Sequence, residues 1–470
     1  MRLSTHLMRL QAILVSTVLA AFLAACDFQL SSPPGTPSPL PPSPLPSATA
    51  VAVIPSLTPA PTVTSQPAEP QATSALPTAE PTPEPKEPYR GIWLTREELN
   101  ALPAFGVAWE NLRAAAEHNP GDPDLSDQDQ ENNVYVLAKA LVYARTGEKR
   151  YQDEVVENLM RVIDTEDGGR TLASARNLVA YVIAADLINL PEANPESDQR
   201  FREWLHQMLT VSLDGQTIRS TQELRPNNWG THAGASRVAI ALYLGDEAEL
   251  ARAAVVFKGW LGDRDAYAGF VYGRLSWQAD EDNPVGINPV GATKEGHSID
   301  GAQPEEMRRG GKFRWPPKKT NYPWGALQGA LVQAELLHRA GYNVWEWEDR
   351  ALLRAVNFLY DIDWLPEGDD VWQPWLINYA YNTTFPAVTP SRPGKNMGWT
   401  DWTHSSYRPP PARTDLIDDP TTVGGTEPID ETGGSTGRSH GPLSTLLTSL
   451  SIRLRNRTDQ IRLSLKRLLQ

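Results

Sequence analysis

The stretch Arg225-Pro-Asn-Asn-Trp-Gly-Thr-His-Ala-Gly-Ala-Ser-Arg237 places two amides, an indole and an imidazole within six residues. From Ala235 the apolar residues recur with helical spacing, which predicts a helix that ends at Gly245. The polar residues then lie at the start of a buried helix, where free backbone N–H groups and side-chain amides can bind an anion. The alternative is an amide-rich helix start that only satisfies its own backbone.

Helical periodicity extends over most of residues 89–405. Thr95 with Glu98, and Asp246 with Glu249, have the spacing of capping boxes. Few stretches alternate with period two, so strands are expected to be rare. Helices joined by short turns predict one all-α domain of antiparallel hairpins. Besides the pattern that follows Thr95, the predicted helices are 134–146, 151–163, 174–190, 199–213, 235–244, 247–260, 322–340 and 347–360.

The segment 262–324 interrupts this helical pattern, since it is rich in Gly, Pro, charged and aromatic residues. A loop of this length in a compact domain is usually functional or disordered, and its aromatic content argues against disorder. Its basic residues predict a local positive patch, with a solvated charge run as the alternative. These residues are Arg308, Arg309, Lys312, Arg314, Lys318 and Lys319.

Aromatic residues accumulate after Tyr360. Aromatic rings can stack on sugars, but large aromatic side chains are more often buried in the core. We therefore predict that most of them belong to the core. The residues are Trp372, Trp375, Tyr379, Trp399 and Trp402.

Residues 1–26 combine Arg2 and Arg9 with an apolar run that ends in Leu-Ala-Ala-Cys26. The run is short and rich in small residues, which is typical of an export signal rather than a membrane span. It resembles a bacterial lipoprotein signal peptide, which predicts lipidation of Cys26; an ordinary cleaved signal is the alternative. Cys26 is the single cysteine, so no disulfide can form within the chain.

The segments outside the helical domain have compositions of their own. Residues 27–88 are rich in Pro, Ser and Thr, which predicts a disordered tether. Residues 406–442 predict a disordered linker, and residues 443–470 either a basic amphipathic helix or a basic tail. The net charge of -14 disfavours nucleic acid and anionic membranes as partners. An acidic polymer requires a locally basic cleft, and contact with the membrane is expected only through the lipid anchor.

Three ordered motifs carry a family resemblance. They are Asn227-Asn-Trp-Gly-Thr-His232, then Asp300-Gly-Ala-Gln-Pro-Glu-Glu-Met-Arg-Arg309, then Tyr322. Together with the preceding hairpins they resemble the alginate lyase domain family over about residues 90–405. The resemblance implies an incomplete (α/α) toroid and β-elimination on an anionic uronic-acid polysaccharide. It implies neither a metal nor an organic cofactor.

The resemblance also implies roles for individual residues. Asn228 and Arg309 would pair with the substrate carboxylate, so that the charge developing after removal of the C5 proton is tolerated. Tyr322 would act as the acid, with the base shared between Tyr322 and a histidine. Many family members have that histidine directly after the second asparagine, where this chain has Trp229. Either His232, three residues later on the same helix face, or His297 then takes its role, or the activity differs.

The sequence also predicts further substrate-binding residues and leaves two other functions open. Asn227, Trp229, His297 and Arg314 are predicted to bind substrate. A glycoside hydrolase would need two carboxylates beside the bond, which Asp280, Glu281 and Asp282 would supply. A polysaccharide-binding protein without catalysis is the other alternative. The oligomeric state and the identity of the uronan do not follow from the sequence.

Overall fold

The computed structural model describes residues 91–390, 393–405 and 416–422. In these ranges the only strands, β1 (Thr293–Lys294) and β2 (His297–Ser298), form a small antiparallel pair. The all-α prediction is therefore confirmed. The helices are α1 Arg96–Ala101, α2 Val107–Glu117, α3 Asn132–Thr146, α4 Lys149–Val162, α5 Thr171–Leu187, α6 Leu190–Ala193, α7 Pro195–Met208, α8 Ile218–Leu224, α9 Asn228–Leu244, α10 Glu247–Leu261, α11 Pro304–Met307, α12 Tyr322–Arg339, α13 Trp347–Asp361, α14 Gln373–Tyr381 and α15 Thr400–Thr403.

Helix α9 begins earlier than the apolar pattern predicts, at Asn228 rather than at Ala235. Asn227 is the N-cap, and its side-chain oxygen accepts a hydrogen bond of 3.1 Å from the Trp229 backbone N–H. The polar residues 228–232 therefore form the first turn of the helix. Gly245 ends it in the left-handed conformation, at φ 72°.

The helices α3, α5, α9 and α12 pack in succession, each against the next. Helices α5 and α9 are buried on almost every side, so neither has a polar stripe. A Cβ atom at Gly329 would lie 2.4 Å from the carbonyl carbon of Thr231, and one at Gly234 would overlap the Gln333 side chain. Glycine thus permits the close approach of α9 and α12. Because Thr231 meets Gly329 and Gly234 meets Gln333, the two helices run in the same direction.

The neighbouring helices bury only one face. In α4 the buried residues Tyr151, Val155, Leu159 and Val162 recur with helical spacing. Helix α4 packs on α3 and α5, and α10 packs on α9. The turns at Gly147 and Gly245 are left-handed helix ends that join these hairpins.

Some predicted boundaries differ from the structure. The pattern after Thr95 divides into α1 and α2, because the chain leaves the helix just before Pro103. Thr95 and Glu98 do form a capping box. Asp246 caps α10 by accepting the Glu249 N–H at 3.0 Å, but the Glu249 carboxylate binds Arg219 and Arg237 instead of closing the box. The short helices α8, α11 and α14 were not predicted.

Two ends of the described domain meet in an aromatic cluster. The Trp109 and Trp402 rings lie 5.3 Å apart, and Trp402 Nε1 donates to the Pro103 carbonyl at 2.8 Å. Of the late aromatic residues, Trp372, Trp399 and Trp402 are buried, whereas Trp375 and Tyr379 are half-buried. The prediction that most of them are core residues is confirmed.

Several predictions lie outside the described residues: the signal peptide 1–26 with Cys26, the tether 27–88, residues 443–470 and most of the linker 406–442. One part of the linker is described. Ile417 donates to the Gly341 carbonyl at 2.9 Å and accepts from Asn343 N–H at 3.0 Å. Since Ile417 also packs on the core, residues 416–422 depart from the predicted disordered linker. Among the described helices none is long and apolar enough to span a membrane.

Candidate active site

The N-terminal ends of α5, α9 and α12 bring polar residues to one region. Arg170, the N-cap of α5, has its guanidinium carbon 5.8 Å from the Trp229 ring in the first turn of α9. Tyr322 is the first residue of α12, which runs parallel to α9. The first N–H groups and the macrodipole make each helix start attractive to an anion. We call this region the helix-start cleft.

The two sequence motifs meet in this cleft. The Glu306 carboxylate of α11 accepts a hydrogen bond from the backbone N–H of Asn228, although the residues are 78 positions apart. Arg309 follows in the same turn, and its guanidinium carbon lies 4.1 Å from the centre of the Tyr322 ring. Arg309 is exposed and Tyr322 half-buried, so both are accessible. The structure thus places Asn228 against Glu306, and Arg309, three residues after Glu306, against Tyr322.

Glu306 itself is almost fully buried, at 1 % exposure. Burial raises the pKa of Glu306 to about 8, against the opposing effects of the Asn228 N–H and the Arg309 charge. Its carboxyl is therefore mostly protonated at neutral pH. Sequence analysis assigned Glu306 no role, although its spacing of three residues from Arg309 places both on one helical face.

The substitution Glu306→Gln tests this protonation state. Folded protein keeps the Glu306 proton up to about pH 8, whereas the unfolded chain loses it near the ordinary value of 4.5. The resulting stability is present below pH 4.5 and is lost as the pH rises to 8. Because glutamine does not titrate, we expect the wild-type free energy of unfolding to fall relative to that of the variant, by up to about 5 kcal/mol. Chemical denaturation at several pH values measures this, and parallel pH profiles of the two proteins would contradict it.

Asn227 and Trp229 occupy structural positions at the edge of the cleft. The Asn227 side chain caps α9. This residue therefore satisfies the backbone of its own helix, as the alternative interpretation predicts. The Trp229 ring is half-buried with the Arg225 guanidinium 4.6 Å from its centre. Trp229 thus has two arginines near its ring, Arg225 and Arg170, and is partly accessible.

His232 lies inside the protein, at 0 % exposure. Its Nε2 atom accepts a hydrogen bond of 3.4 Å from Arg176 Nε, with the Asn396 side chain and the Gly325 carbonyl beside the ring. Burial, and then the Arg176 charge, hold the pKa of His232 well below its usual value. A neutral imidazole without exposed surface does not reach a substrate in the cleft. The geometry therefore argues against His232 as the catalytic base.

His297 and Arg314 belong to a separate part of the long loop. The His297 ring stacks on Trp315 at 4.6 Å, with 9° between the planes. Arg314 is exposed, and its Nε donates to the Pro316 carbonyl at 3.4 Å. In the described part of the chain neither residue contacts Asn228, Arg309 or Tyr322. Their predicted roles at the substrate have no contact that supports them.

The predicted basic patch is not a uniform surface. Arg308 forms an ion pair with Glu305, and Lys319 donates to the Asp363 carbonyl. Arg309 instead lies over Tyr322. Within this patch, Arg309 is the basic residue that the structure places at the cleft.

The carboxylates considered for a hydrolase have local structural partners. Asp280 accepts the Asp282 N–H at 2.9 Å, which closes a turn, and Glu281 pairs with Lys294 at 2.9 Å. Such contacts do not arrange two carboxylates across a bond. No group of three His, Cys, Asp or Glu side chains in the described ranges is arranged to hold a metal ion.

Arg176, which contacts His232 of α9, is a second residue that sequence analysis missed. It is a half-buried cation on α5, a helix that is otherwise mostly apolar. A lone arginine in a buried helix is a signal that could have identified it, because charged residues are rarely buried without a partner. Its contact with His232 spans 56 positions and is not readable from local spacing.

Comparison with known proteins bears on the same region. Residues 128–268 match the family model described as alginate lyase, a segment that includes α5 and α9 with Asn228. None of the curated proteins matches the chain significantly. The matched segment and the motifs quoted from the sequence point to the same family, so residues 128–268 are similar to the alginate lyase family.

Proposed function

We propose that the protein is an exported polysaccharide lyase that cleaves a uronic-acid polysaccharide by β-elimination on an incomplete (α/α) toroid. The observation that carries this proposal is the placement of Arg309 over Tyr322, linked through Glu306 to Asn228. The family match over residues 128–268 supports the same reaction class. The substrate is an anionic polymer, which suits a cleft formed by helix starts and arginines.

The chemistry gives each residue a task. Removing the C5 proton of a uronate is difficult because the adjacent carboxylate is already negative. The Arg309 guanidinium and the Asn228 side-chain amide pair with that carboxylate and stabilise the developing dianion. In the described residues, the Asn228 amide has no other hydrogen-bond partner, so it is available for this contact.

Tyr322 then performs the proton transfers. The Tyr322 hydroxyl protonates the leaving O4 oxygen as general acid. Since His232 is buried, we assign removal of the C5 proton to the same oxygen: the Tyr322 oxygen takes this proton first as the tyrosinate, and the hydroxyl so formed passes it to O4 as the C4–O4 bond breaks. Abstraction and donation by one group require both reacting atoms on the same face of the sugar ring.

A panel of uronans tests the reaction class. The purified protein is incubated with alginate, glucuronan and pectate while ultraviolet absorbance and new reducing ends are followed together. A lyase generates one unsaturated, absorbing end for each cleavage. Reducing ends without absorbance would indicate a hydrolase. The displaced histidine position and the buried His232 favour one other candidate, a binding protein without catalysis, and binding of a uronan without either signal would indicate it.

Arg309→Ala tests the carboxylate contact, with Lys312→Ala as the matched control from the same basic segment. Both residues are exposed, so neither change should unfold the domain. Loss of Arg309 removes a charge-assisted contact at the reacting sugar, and we expect kcat/KM to fall by about a hundredfold or more. Lys312→Ala should change kcat/KM by less than about threefold at moderate salt. Equal effects of the two substitutions would mean that only the overall charge matters.

Lipid anchoring at Cys26 is a further proposal, which rests on the signal-like sequence of residues 1–26. Cys26→Ser removes the thiol that would carry the lipid. We expect the variant to leave the membrane fraction of a bacterial host and appear in the soluble exported fraction. Retention of the variant in the membrane fraction would contradict lipid attachment at Cys26.

A further inference from the structure

A second cation, Arg176, lies in the second turn of α5 and contacts His232 of α9. Arg176 is half-buried on α5. Among the described residues it forms one hydrogen bond, from its Nε to His232 Nε2. Burial lowers the pKa of Arg176, against the opposing charges of Asp129, Asp370 and Asp369. A desolvated guanidinium normally has an ion partner or a bound anion, because burial of an uncompensated charge is costly.

The nearby carboxylates are engaged with other groups. Asp129 forms an ion pair with Lys395. Asp370 accepts hydrogen bonds from Gln328 at 2.7 Å and from Gln373 at 2.9 Å, and burial raises the pKa of Asp370 to about 7. No carboxylate oxygen of a described residue forms an ion pair with Arg176. Its two terminal NH₂ groups therefore retain N–H donors, in the plane of the guanidinium, for a bidentate contact with an anion.

His232 fixes the direction of this arginine. A neutral imidazole can accept from Arg176 Nε, whereas a protonated ring would have no lone pair for that bond. The buried ring is itself held, because the His232 backbone lies directly against Gly329 of α12. His232 thus connects Arg176 on α5 with the helix that begins at Tyr322.

We propose that Arg176 binds the carboxylate of a second uronate residue of the polysaccharide, next to the one held by Asn228 and Arg309, and that His232 is its positioning residue. This inference rests on the proposed function, since it requires a uronic-acid polymer in the cleft. The Gly325 carbonyl beside His232 lies one helical turn from Tyr322, so the first turn of α12 connects the positions of Arg176 and Arg309. A polymer with a carboxylate on each sugar presents anions to both.

The test measures binding in the Tyr322→Phe background, so that no turnover occurs. The probes are a saturated oligouronate and its methyl ester, titrated by calorimetry. We expect Arg176→Met to weaken the oligouronate by about ten- to a hundredfold and leave affinity for the ester unchanged. Arg200→Met removes an exposed charge from α7 and should change neither affinity. Equal weakening of both probes by Arg176→Met would overturn carboxylate recognition.

Three further variants test the proposal, and the first of them, Arg309→Ala, does not depend on the folding of Arg176→Met. Arg309→Ala keeps the proposed second carboxylate site at Arg176 and leaves only the Asn228 amide at the first, so it should still bind the oligouronate more tightly than the ester. Equal affinities of Arg309→Ala for the oligouronate and for its methyl ester would overturn the proposal. His232→Phe should weaken oligouronate binding as Arg176→Met does, and the double variant should be no weaker than Arg176→Met alone. Additive losses would contradict a positioning role for His232.

Failure of this inference is distinguishable from failure of the proposed function. If the wild-type protein releases unsaturated product but Arg176→Met leaves the affinity for the oligouronate unchanged, only the proposal of a second carboxylate site is wrong. If Arg176 affects affinity as expected but no product forms, only the lyase reaction is wrong.

Discussion

Tyr322→Phe is expected to lower kcat by a factor of about a hundred or more on the uronan that the wild-type protein cleaves. The substitution keeps the ring under Arg309, whose guanidinium carbon lies 4.1 Å from its centre, and removes only the proton-carrying oxygen. Because binding depends on Asn228, Arg309 and Arg176, we expect the oligouronate dissociation constant to change little. Steady-state absorbance kinetics and calorimetry measure the two quantities separately.

A matched control separates the effect of losing the Tyr322 hydroxyl from the general effect of replacing a tyrosine by phenylalanine. Tyr360 is a half-buried tyrosine that packs on Trp324 of α12, and its hydroxyl donates to the Pro386 carbonyl at 2.9 Å rather than to a residue of the cleft motifs. Tyr360→Phe should leave kcat within about twofold of wild type, since one solvent-accessible hydrogen bond is lost. Full activity in Tyr322→Phe would remove Tyr322 from the mechanism.

Gly329→Ala is expected to destabilise the domain by about 2 to 4 kcal/mol. A Cβ atom there would lie 2.4 Å from the Thr231 carbonyl carbon and 2.5 Å from the His232 backbone nitrogen. Backbone atoms cannot rotate away as a flexible side chain can, so α9 and α12 must separate. Thermal and denaturant unfolding measure the loss, which should be accompanied by lower activity because both helices carry cleft residues.

Gly325 provides the control on the same helix. A Cβ atom at Gly325 meets nothing within 4 Å. Gly325→Ala should therefore stabilise α12 by about 0.5 to 1 kcal/mol, since alanine loses less backbone entropy than glycine on folding. Destabilisation by both substitutions to a similar extent would show that the close approach of α9 and α12 does not govern the effect.

The helices were predictable wherever they bury one face, as α4 does with Tyr151, Val155 and Leu159. The start of α9 was not, because its first turn contains buried polar and small residues with no apolar periodicity. Only the cap at Asn227 marks that start. The folding of the long loop could not be predicted from local sequence either. The ring centres of Phe313 and Trp277 lie 4.7 Å apart, although the two residues are far apart in sequence.

The candidate site was predicted in part. Motif order pointed to Asn228, Arg309 and Tyr322, and the structure places them together. Local spacing put His232 on the same helix face as the motif, but it did not reveal that this face is covered by α12. The importance of Glu306 and Arg176 depends on burial, which follows from tertiary packing rather than from neighbouring residues.

The most direct test of the lyase assignment is the mass of the first products released from a defined oligouronate by the wild-type protein. β-Elimination breaks the C4–O4 bond without adding water, so it leaves a fragment with an unsaturated end that is one water molecule lighter than its hydrolytic counterpart. We expect mass spectrometry to show this lighter fragment with wild-type protein and its near absence with Tyr322→Phe. Fragments that all carry the added water, or lighter fragments formed equally by Tyr322→Phe, would contradict the proposed reaction at this cleft.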